Sequence, residues 1–331
     1  MEKTKEKKKK LFNQRFKDVE LIGEGSYGKV YKVESKENPG QFFALKKFKD
    51  SASVEGFNIS AIREIEILRE LDHENIEKII DTFYGINCLY ILFEYVECAL
   101  TKLIRFNVSQ KKQFLSQADI KGIMLQILTG LDEIHKNGIL HRDLAPSNIL
   151  INKNGVIKIA DFGMSRFIAS PNVPMTQGVI TKYYRAPEIC LGASYYSFSI
   201  DIWSAGCIFG ELLSGEILFK GELDIDILCQ IFTLLGIPND NSWPDVKQLE
   251  NYVRVFKGGP PLTIQKAFNK FSDETKDLLE KMLVLNPNSR ISASEALQHP
   301  YFSCEPLPSG KERIAEIIKK FLYASNRSNK A

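Results

Sequence analysis

The sequence contains no apolar run of about 18 residues, the length a helix needs to cross a bilayer. Its first ten residues, MEKTKEKKKK, pass into LFNQRFKDVE without an apolar stretch of signal-peptide length. These absences exclude a membrane protein and make the nucleus, the cytoplasm or both the expected location. Paired cysteines are also lacking. Cys88, Cys98, Cys190, Cys207, Cys229 and Cys304 are scattered and form no CxxC, so neither a zinc site nor a disulfide framework is indicated. Reduced thiols are expected.

A basic body is missing too. The formal charge is +3, but six lysines against two glutamates in residues 1–10 contribute +4, leaving the remainder at −1. Nucleic-acid binding would need basic residues clustered on the folded part, so no direct nucleic-acid contact is expected. The lysine run reads as a solvated tail or as a nuclear import signal.

What is present is an ordinary globular composition, 44% hydrophobic and 26% charged over 331 residues, enough for two lobes around a large core. There is no internal repeat and no long linker. Short alternating runs such as VELIGEGSYGKVYKV and QFFALKKFK predict antiparallel strands in the first eighty residues. One helix interrupts them: in NISAIREIEILREL, Ile59, Ile62, Ile65 and Leu68 recur at a spacing of three, with Ile67 and Leu71 widening the stripe. After about residue 96 the pattern is mainly helical. The expected fold is α+β and bilobal, with a small β lobe at 16–95 and a larger helical lobe at 96–302. A basic tail (1–15) precedes them and an extension (303–331) follows. In that extension Ile314, Ile317, Ile318, Phe321 and Leu322 share one helical face, suited to docking on the chain's own large lobe or in a partner's groove.

Chemistry-bearing residues fall into this frame in a fixed order. Gly23, Glu24, Gly25, Ser26, Tyr27, Gly28, Lys29 and Val30 fit GxGxxGxV, where glycines let backbone amides approach phosphate oxygens. A dinucleotide fold would follow the third glycine with a helix, but KVYKV reads as a strand, so the loop is a hairpin tip. Taken alone it could be only a tight turn. Phe43-Ala44-Leu45-Lys46 then matches a strand whose lysine neutralises phosphates, and Glu64 on the helix is placed to pair with it. His141-Arg142-Asp143 with Asn148, Asp161-Phe162-Gly163 and Ala186-Pro187-Glu188 complete the series.

With these motifs the chain, from about Phe16 to Phe302, resembles a eukaryotic protein kinase. The resemblance implies ATP and Mg2+ as cofactors. It implies that Asp143 orients and deprotonates the acceptor hydroxyl, and that Asn148 and Asp161 are the magnesium ligands. Phe93 would close the back of the adenine pocket, and the hinge Glu94-Tyr95-Val96 would bond adenine. Ile22, Val30 and Ala44 would form the roof and Leu150 the floor. Glu188 would pair with Arg290 as a structural tie, and Thr181 in TKYYRAPE would bond Asp143.

NISAIRE, YYRAPE and DIWSAGCIFGELL resemble the cyclin-dependent kinases, and ASPNVPMTQGVITKYYRAPE is most like the CDK-activating branch. That likeness implies a cyclin partner and possible assembly-factor binding. Protein substrates would include other kinases' activation loops, and acceptors would often carry Ser-Pro or Thr-Pro. Thr176 would carry an activating phosphate gripped by Arg63, Arg142 and Arg166. Ser170 would be a second phosphosite or a plain turn. Cyclin binding would be needed to bring Glu64 to Lys46.

Two departures stand out. Ala145 replaces a lysine usual in serine/threonine kinases, with Lys182 or a substrate group as possible stand-ins. Ala99 replaces an acidic residue, with Cys98 beside it expected at the solvent-facing lip with an ordinary thiol. A catalytically silent scaffold is the alternative reading, but Lys46, Asp143, Asn148 and Asp161 are all present.

Overall fold

The computed structural model describes residues 15–25, 28–48, 59–84, 88–110, 114–168, 181–252 and 260–328. Ser26, Tyr27, Ser170 and Thr176 lie outside them.

The alternating segments of the amino-terminal part form an antiparallel five-stranded sheet in the order β1-β2-β3-β5-β4. Its strands are β1 (Phe16–Gly25), β2 (Gly28–Ser35), β3 (Phe42–Phe48), β4 (Ile79–Tyr84) and β5 (Leu89–Glu94). On one face Phe16, Val33, Leu45 and Leu92 make a small separate core. Gly28 is fixed by packing: a Cβ there would lie 2.1 Å from the Lys47 carbonyl oxygen on β3.

Helix α1 (Ile59–Glu70) packs beside this sheet, but not on the face its isoleucine stripe predicts. Ala61, Glu64, Ile67 and Leu68 are buried, whereas Ile59 is 71% and Ile62 44% exposed. The reason is electrostatic. Glu64 is drawn inward to Lys46, and that contact fixes the rotation of the helix against the pull of its outer isoleucines.

The chain then crosses to the large lobe. Ile76 bridges Ile159 in parallel, and the buried Asn75 side chain donates to Ile157 O and Gln126 Oε1, sewing the segment after α1 to the larger core. Strand β6 (Cys98–Ala99) pairs with β8 (Ile149–Ile151), which pairs with β9 (Ile157–Ile159). The pair β7 (Ile139–Leu140) and β10 (Arg166–Phe167) forms a second ribbon.

Around these lie α2 (Leu100–Ser109), α3 (Gln117–Lys136), α4 (Pro187–Cys190) and α5 (Ser199–Ser214). They are followed by α6 (Asp224–Leu235), α7 (Ile264–Ala267), α8 (Asp273–Met282), α9 (Ala293–Leu297) and α10 (Lys311–Ser328). Helix α3 starts at a reciprocal cap in which Ser116 accepts from the Asp119 amide and the Asp119 side chain accepts from Ser116 N–H. Helix α5 is buried along nearly its whole length, as its mainly apolar sequence requires. No described helix is long and apolar enough to cross a membrane.

The extension folds back onto the large lobe. Ile314, Ile317, Ile318 and Phe321 on α10 join the main core, and Phe321 meets Phe106 of α2 edge to face at 5.3 Å. Polar contacts fix the approach: Ser309 Oγ donates to Asp119 Oδ1 and Arg313 Nε lies 3.4 Å from the same atom. Two glycines make room, since a Cβ on Gly122 would strike Ser309 O and one on Gly155 would strike Lys311 O. Deleting buried methylenes from such a face costs the transfer energy plus a cavity. Ile317→Ala, 1% exposed in the native chain, should therefore lower unfolding free energy by about 3 kcal/mol in a denaturant titration.

Candidate active site

Lys46 on β3 sits at the centre of the cleft. Its Nζ lies 2.8 Å from both Glu64 carboxylate oxygens and 2.8 Å from Asp161 Oδ1. Burial disfavours charge on all three groups and pushes the Glu64 carboxyl up. Against burial, Glu64 and Asp161 together hold the Lys46 ammonium above the usual lysine range. Burial also opposes charge on Asp161, but the nearby ammonium outweighs it and keeps this carboxyl below its ordinary value. The triad is closed in the single chain. The contact between Glu64 and Lys46 that a cyclin is expected to bring about is present in the single chain.

Two further contacts hold the triad's supports. Ser60 Oγ on α1 donates to Gly163 O at 2.7 Å, tying the helix to the Asp161-Phe162-Gly163 turn. Phe162 is fully buried and its ring meets His141 edge to face at 4.9 Å. Asp161 itself adopts φ 64, in the left-handed region that side chains other than glycine rarely occupy.

The loop after β7 carries the second set of groups. Asp143 Oδ1 accepts the Thr181 hydroxyl at 2.7 Å and the Thr181 amide at 3.0 Å, while its Oδ2 accepts from Asn148 Nδ2 at 3.0 Å. Asn148 Nδ2 also donates to the Asp143 carbonyl. The loop is anchored from below by Asp201 on α5, buried and accepting the His141 and Arg142 amides at 2.9 Å each. His135 Nε2 lies 3.0 Å from the same carboxylate. Burial opposes the charge of Asp201, but the His135 hydrogen bond and the His141 amide hold its carboxyl below the ordinary range.

Ala145 is 1% exposed and lies within the main core. Lys182 does not stand in for the absent lysine. Its ammonium donates to Glu222 O at 2.8 Å, toward the start of α6.

The walls of the cleft carry the remaining residues. Ile22 is exposed, Val30, Ala44, Val96 and Leu150 are half-buried, and Phe93 is buried at the end of β5. Gly23 pairs with Val30 across the hairpin, and Gly25 with Gly28. Glu24 and Lys29 face each other across this tip at 3.4 Å. Glu94 is exposed and lies 3.6 Å from Lys158 Nζ.

Of the arginines assigned to a phosphate grip, Arg142 is buried, with Nε donating to Met164 O and Nη1 to Tyr196 Oη. Arg166 lies on β10, paired with Leu140 two residues before Arg142. Arg63 lies on α1, which packs against β10. Glu188 and Arg290 form a buried two-pronged ion pair at 2.8 and 3.0 Å.

The sequence reading did not single out Ser60 or Asp201. A hydroxyl in the first turn of the helix and an aspartate opening DIWSAGCIFGELL are visible in the sequence, but their acceptors and donors lie about 60 to 100 residues away.

The family model for the protein kinase domain matches residues 16–302. This chain belongs to the protein kinases. Among curated relatives it is 43% identical to cyclin-dependent kinase 7 of Dictyostelium discoideum, over 86% of this chain and 78% of that protein. It is 39% identical to cyclin-dependent kinase D-1 of Arabidopsis thaliana, over 92% of this chain and 75% of that protein. A chain in the structure of the CAK complex from Chaetomium thermophilum bound to ATP-gamma-S superposes with a TM-score of 0.83 at 34% identity, covering 94% of this chain and 97% of that one. The chain is thus a serine/threonine protein kinase of the cyclin-dependent family, most like its CDK-activating branch.

Cys98 corrects one expectation. It is 1% exposed, because β6 pairs with β8 and turns this side chain inward, and its thiol contacts Ala99 O at 3.3 Å. Burial pushes its pKa up to about 12. In the native chain Cys98 should stay unlabelled by an electrophilic thiol reagent while the exposed Cys229 is modified, as peptide mapping would record.

Asp201 gives a pH prediction. Its folded-state pKa is depressed, so its contribution to stability is present above the ordinary carboxylate range and is lost as pH falls through the lower folded value. Asp201→Ala should lower stability by about 3 kcal/mol at pH 7. The gap to wild type should narrow as unfolding is repeated at decreasing pH.

Proposed function

We propose that this kinase transfers the γ-phosphate of ATP to serine or threonine hydroxyls of proteins, as the cyclin-bound catalytic subunit of a CDK-activating assembly. The observation that carries the reading is the Asp143 carboxylate, held by Thr181 and Asn148 across the cleft from a closed Lys46–Glu64 pair. Asp143 orients the acceptor hydroxyl and takes its proton as the oxygen attacks phosphorus. Lys46, already charged and fixed by Glu64, binds the non-transferred phosphates and costs little reorganisation when nucleotide arrives. Adenine lies between Ile22, Val30 and Ala44 above and Leu150 below, with the hinge from Glu94 to Val96 at its edge.

The cleft suits a magnesium ion. Asp161 Oδ1 is engaged by Lys46 and the Gly163 amide, yet the side chain is 41% exposed and its Oδ2 accepts nothing among the described residues. With Asn148 it offers the hard oxygen donors that magnesium prefers. When bound there, the ion would neutralise phosphate charge.

Cyclin binding is supported by the outer face of α1. Ile59 and Ile62 on the helix and Phe167 on the adjoining β10 are exposed apolar groups on one side of the cleft. Because the Lys46–Glu64 pair is already formed, cyclin acts by burying this face and keeping α1 seated. The likeness to a chain of a CAK complex supports a multi-subunit assembly, in which a cyclin and an assembly factor would be the partners. A phosphate on Thr176 would tie the activation segment to Arg63, Arg142 and Arg166, and Ser170 is a second acceptor on that segment. Ser-Pro or Thr-Pro acceptors, activation loops of other kinases and a nuclear or cytoplasmic location complete the proposal.

Radiolabelled ATP, a Ser-Pro peptide and a cyclin provide the test. Wild type should label the peptide and Asp143→Asn should not; labelling by the variant at the wild-type rate would overturn the assignment. Ile59→Asp should weaken cyclin binding while leaving the melting temperature near wild type, because a 71% exposed side chain contributes little to the core.

Ala145 generates a further prediction. A lysine ammonium beside the transferring phosphoryl group adds a charge-assisted hydrogen bond, worth about 10- to 150-fold in rate if formed only in the transition state. Ala145→Lys should remain folded and turn over at the wild-type rate or faster. A tenfold drop at unchanged melting temperature would show that the buried alanine is required for the shape of the site.

A further inference from the structure

At the end of the large lobe remote from the cleft lies a cavity of about 620 Å³. The end of α2, the start of α3, the end of α5, the turn before α8 and the segment leading into α10 line it. Helix α3 carries Lys121 near its start and His135, the partner of Asp201, near its end, about 20 Å further along its axis. The cavity is therefore separate from the nucleotide site.

Its charged lining is Lys121, Lys270 and Glu305, one positive charge in excess. Lys121 is only 2% exposed, and its Nζ donates to Cys304 O at 2.8 Å and to Cys304 Sγ at 3.3 Å above the Tyr301 ring. None of these contacts is a carboxylate, and among the described residues Lys121 forms no ion pair. A buried ammonium is ordinarily paired with an anion, because desolvation of an isolated charge is costly.

The hydrogen-bonding groups are sorted in the same sense. Acceptors around the cavity are already engaged by backbone amides: Asn107 Oδ1 by those of Phe114 and Leu115, Ser116 Oγ by that of Asp119, Ser272 Oγ by that of Thr275, and Glu305 by that of Leu307. Donors are left over. Asn107 Nδ2 and Gln117 Nε2 bond nothing among the described residues, and an ammonium carries three N–H groups, of which Lys121 spends two on Cys304. Beside these donors Val108, Leu212, Leu213 and Phe271 supply an apolar wall. The volume is in the range of small-molecule sites and far exceeds one inorganic anion.

We propose that this cavity binds a small organic phosphate monoester, with the phosphate on Lys121, Lys270, Asn107 and Gln117 and the organic body against the apolar wall. Binding here is independent of phosphotransfer in the cleft.

The test uses 1-naphthyl phosphate as probe and the full-length chain, with binding followed by NMR at the backbone amides of Gln117, Lys121 and Lys270. Wild type should give saturable shifts at these amides with a Kd of about 1 mM or tighter. Inorganic phosphate, which lacks the apolar body, and 1-naphthol, which lacks the charge, should each bind at least about tenfold more weakly. Asn107→Asp keeps an oxygen for the Phe114 and Leu115 amides while adding a negative charge, and Lys121→Gln removes the buried cation; each should weaken the probe at least about tenfold. Lys270→Gln, at an exposed position, should weaken it about two- to fivefold. The proposal is overturned if the three amides do not saturate by about 10 mM probe, if 1-naphthol or inorganic phosphate binds as tightly as the ester, or if folded Asn107→Asp stays within about twofold of wild type. Should Lys121→Gln not fold, Asn107→Asp and Lys270→Gln decide by the same outcomes.

Discussion

One buried ammonium organises this molecule. Lys46 draws Glu64 from α1 and Asp161 from the turn after β9 to within 2.8 Å, joining the sheet, helix α1 and the large lobe at a single atom. Removing one member of such a cluster leaves an uncompensated buried charge, a loss of about 3 to 5 kcal/mol. The rotation of α1 follows from it. With Glu64 facing inward, Ala61, Ile67 and Leu68 pack against the core, and Ile59 and Ile62 are turned outward. An ion pair thus creates the apolar surface on which a partner can act.

The large lobe supplies rigidity to the groups that meet this cluster. Asp201 holds the start of the catalytic loop through two backbone amides, and Asn148 closes its far end onto Asp143. Arg142 in the catalytic loop and Asp161 in the turn after β9 both hold a left-handed φ. In each case hydrogen bonds to neighbouring residues offset the backbone strain, so the reactive groups are set before any ligand binds. The folded-back α10 contributes from the opposite side. It packs Lys311 O against Gly155 in the turn between β8 and β9, the hairpin that carries Leu150 and leads into Asp161.

Much of this was legible in the sequence because the relevant signals are local. Alternation in QFFALKKFK gives β3, the order of the motifs gives the two lobes, and residue type at fixed spacing gives Lys46, Asp143, Asn148 and Asp161. What was not legible depends on contacts between distant segments. The periodicity of α1 pointed to Ile59 and Ile62 as core, and only the position of Lys46 reveals why they are outside. Cys98 looked accessible from its place after the hinge, yet two residues of strand pairing bury it. Gly28 looked like a phosphate-loop residue, and in the fold it is also the only residue that fits against the Lys47 carbonyl. The exposed part of the α1 stripe is where local pattern and tertiary contact disagree most.

The central claim is that the Lys46–Glu64 contact acts as one unit in positioning both the helix and the nucleotide phosphates. A double-mutant cycle measures this directly, using Lys46→Met, Glu64→Leu and the double variant, with kcat/KM for peptide phosphorylation in the cyclin-bound enzyme. The account predicts that each single change lowers kcat/KM by at least about 100-fold and that the double variant is no worse than the poorer single. Losses that simply multiply, or a Glu64→Leu enzyme within about twofold of wild type, would contradict it.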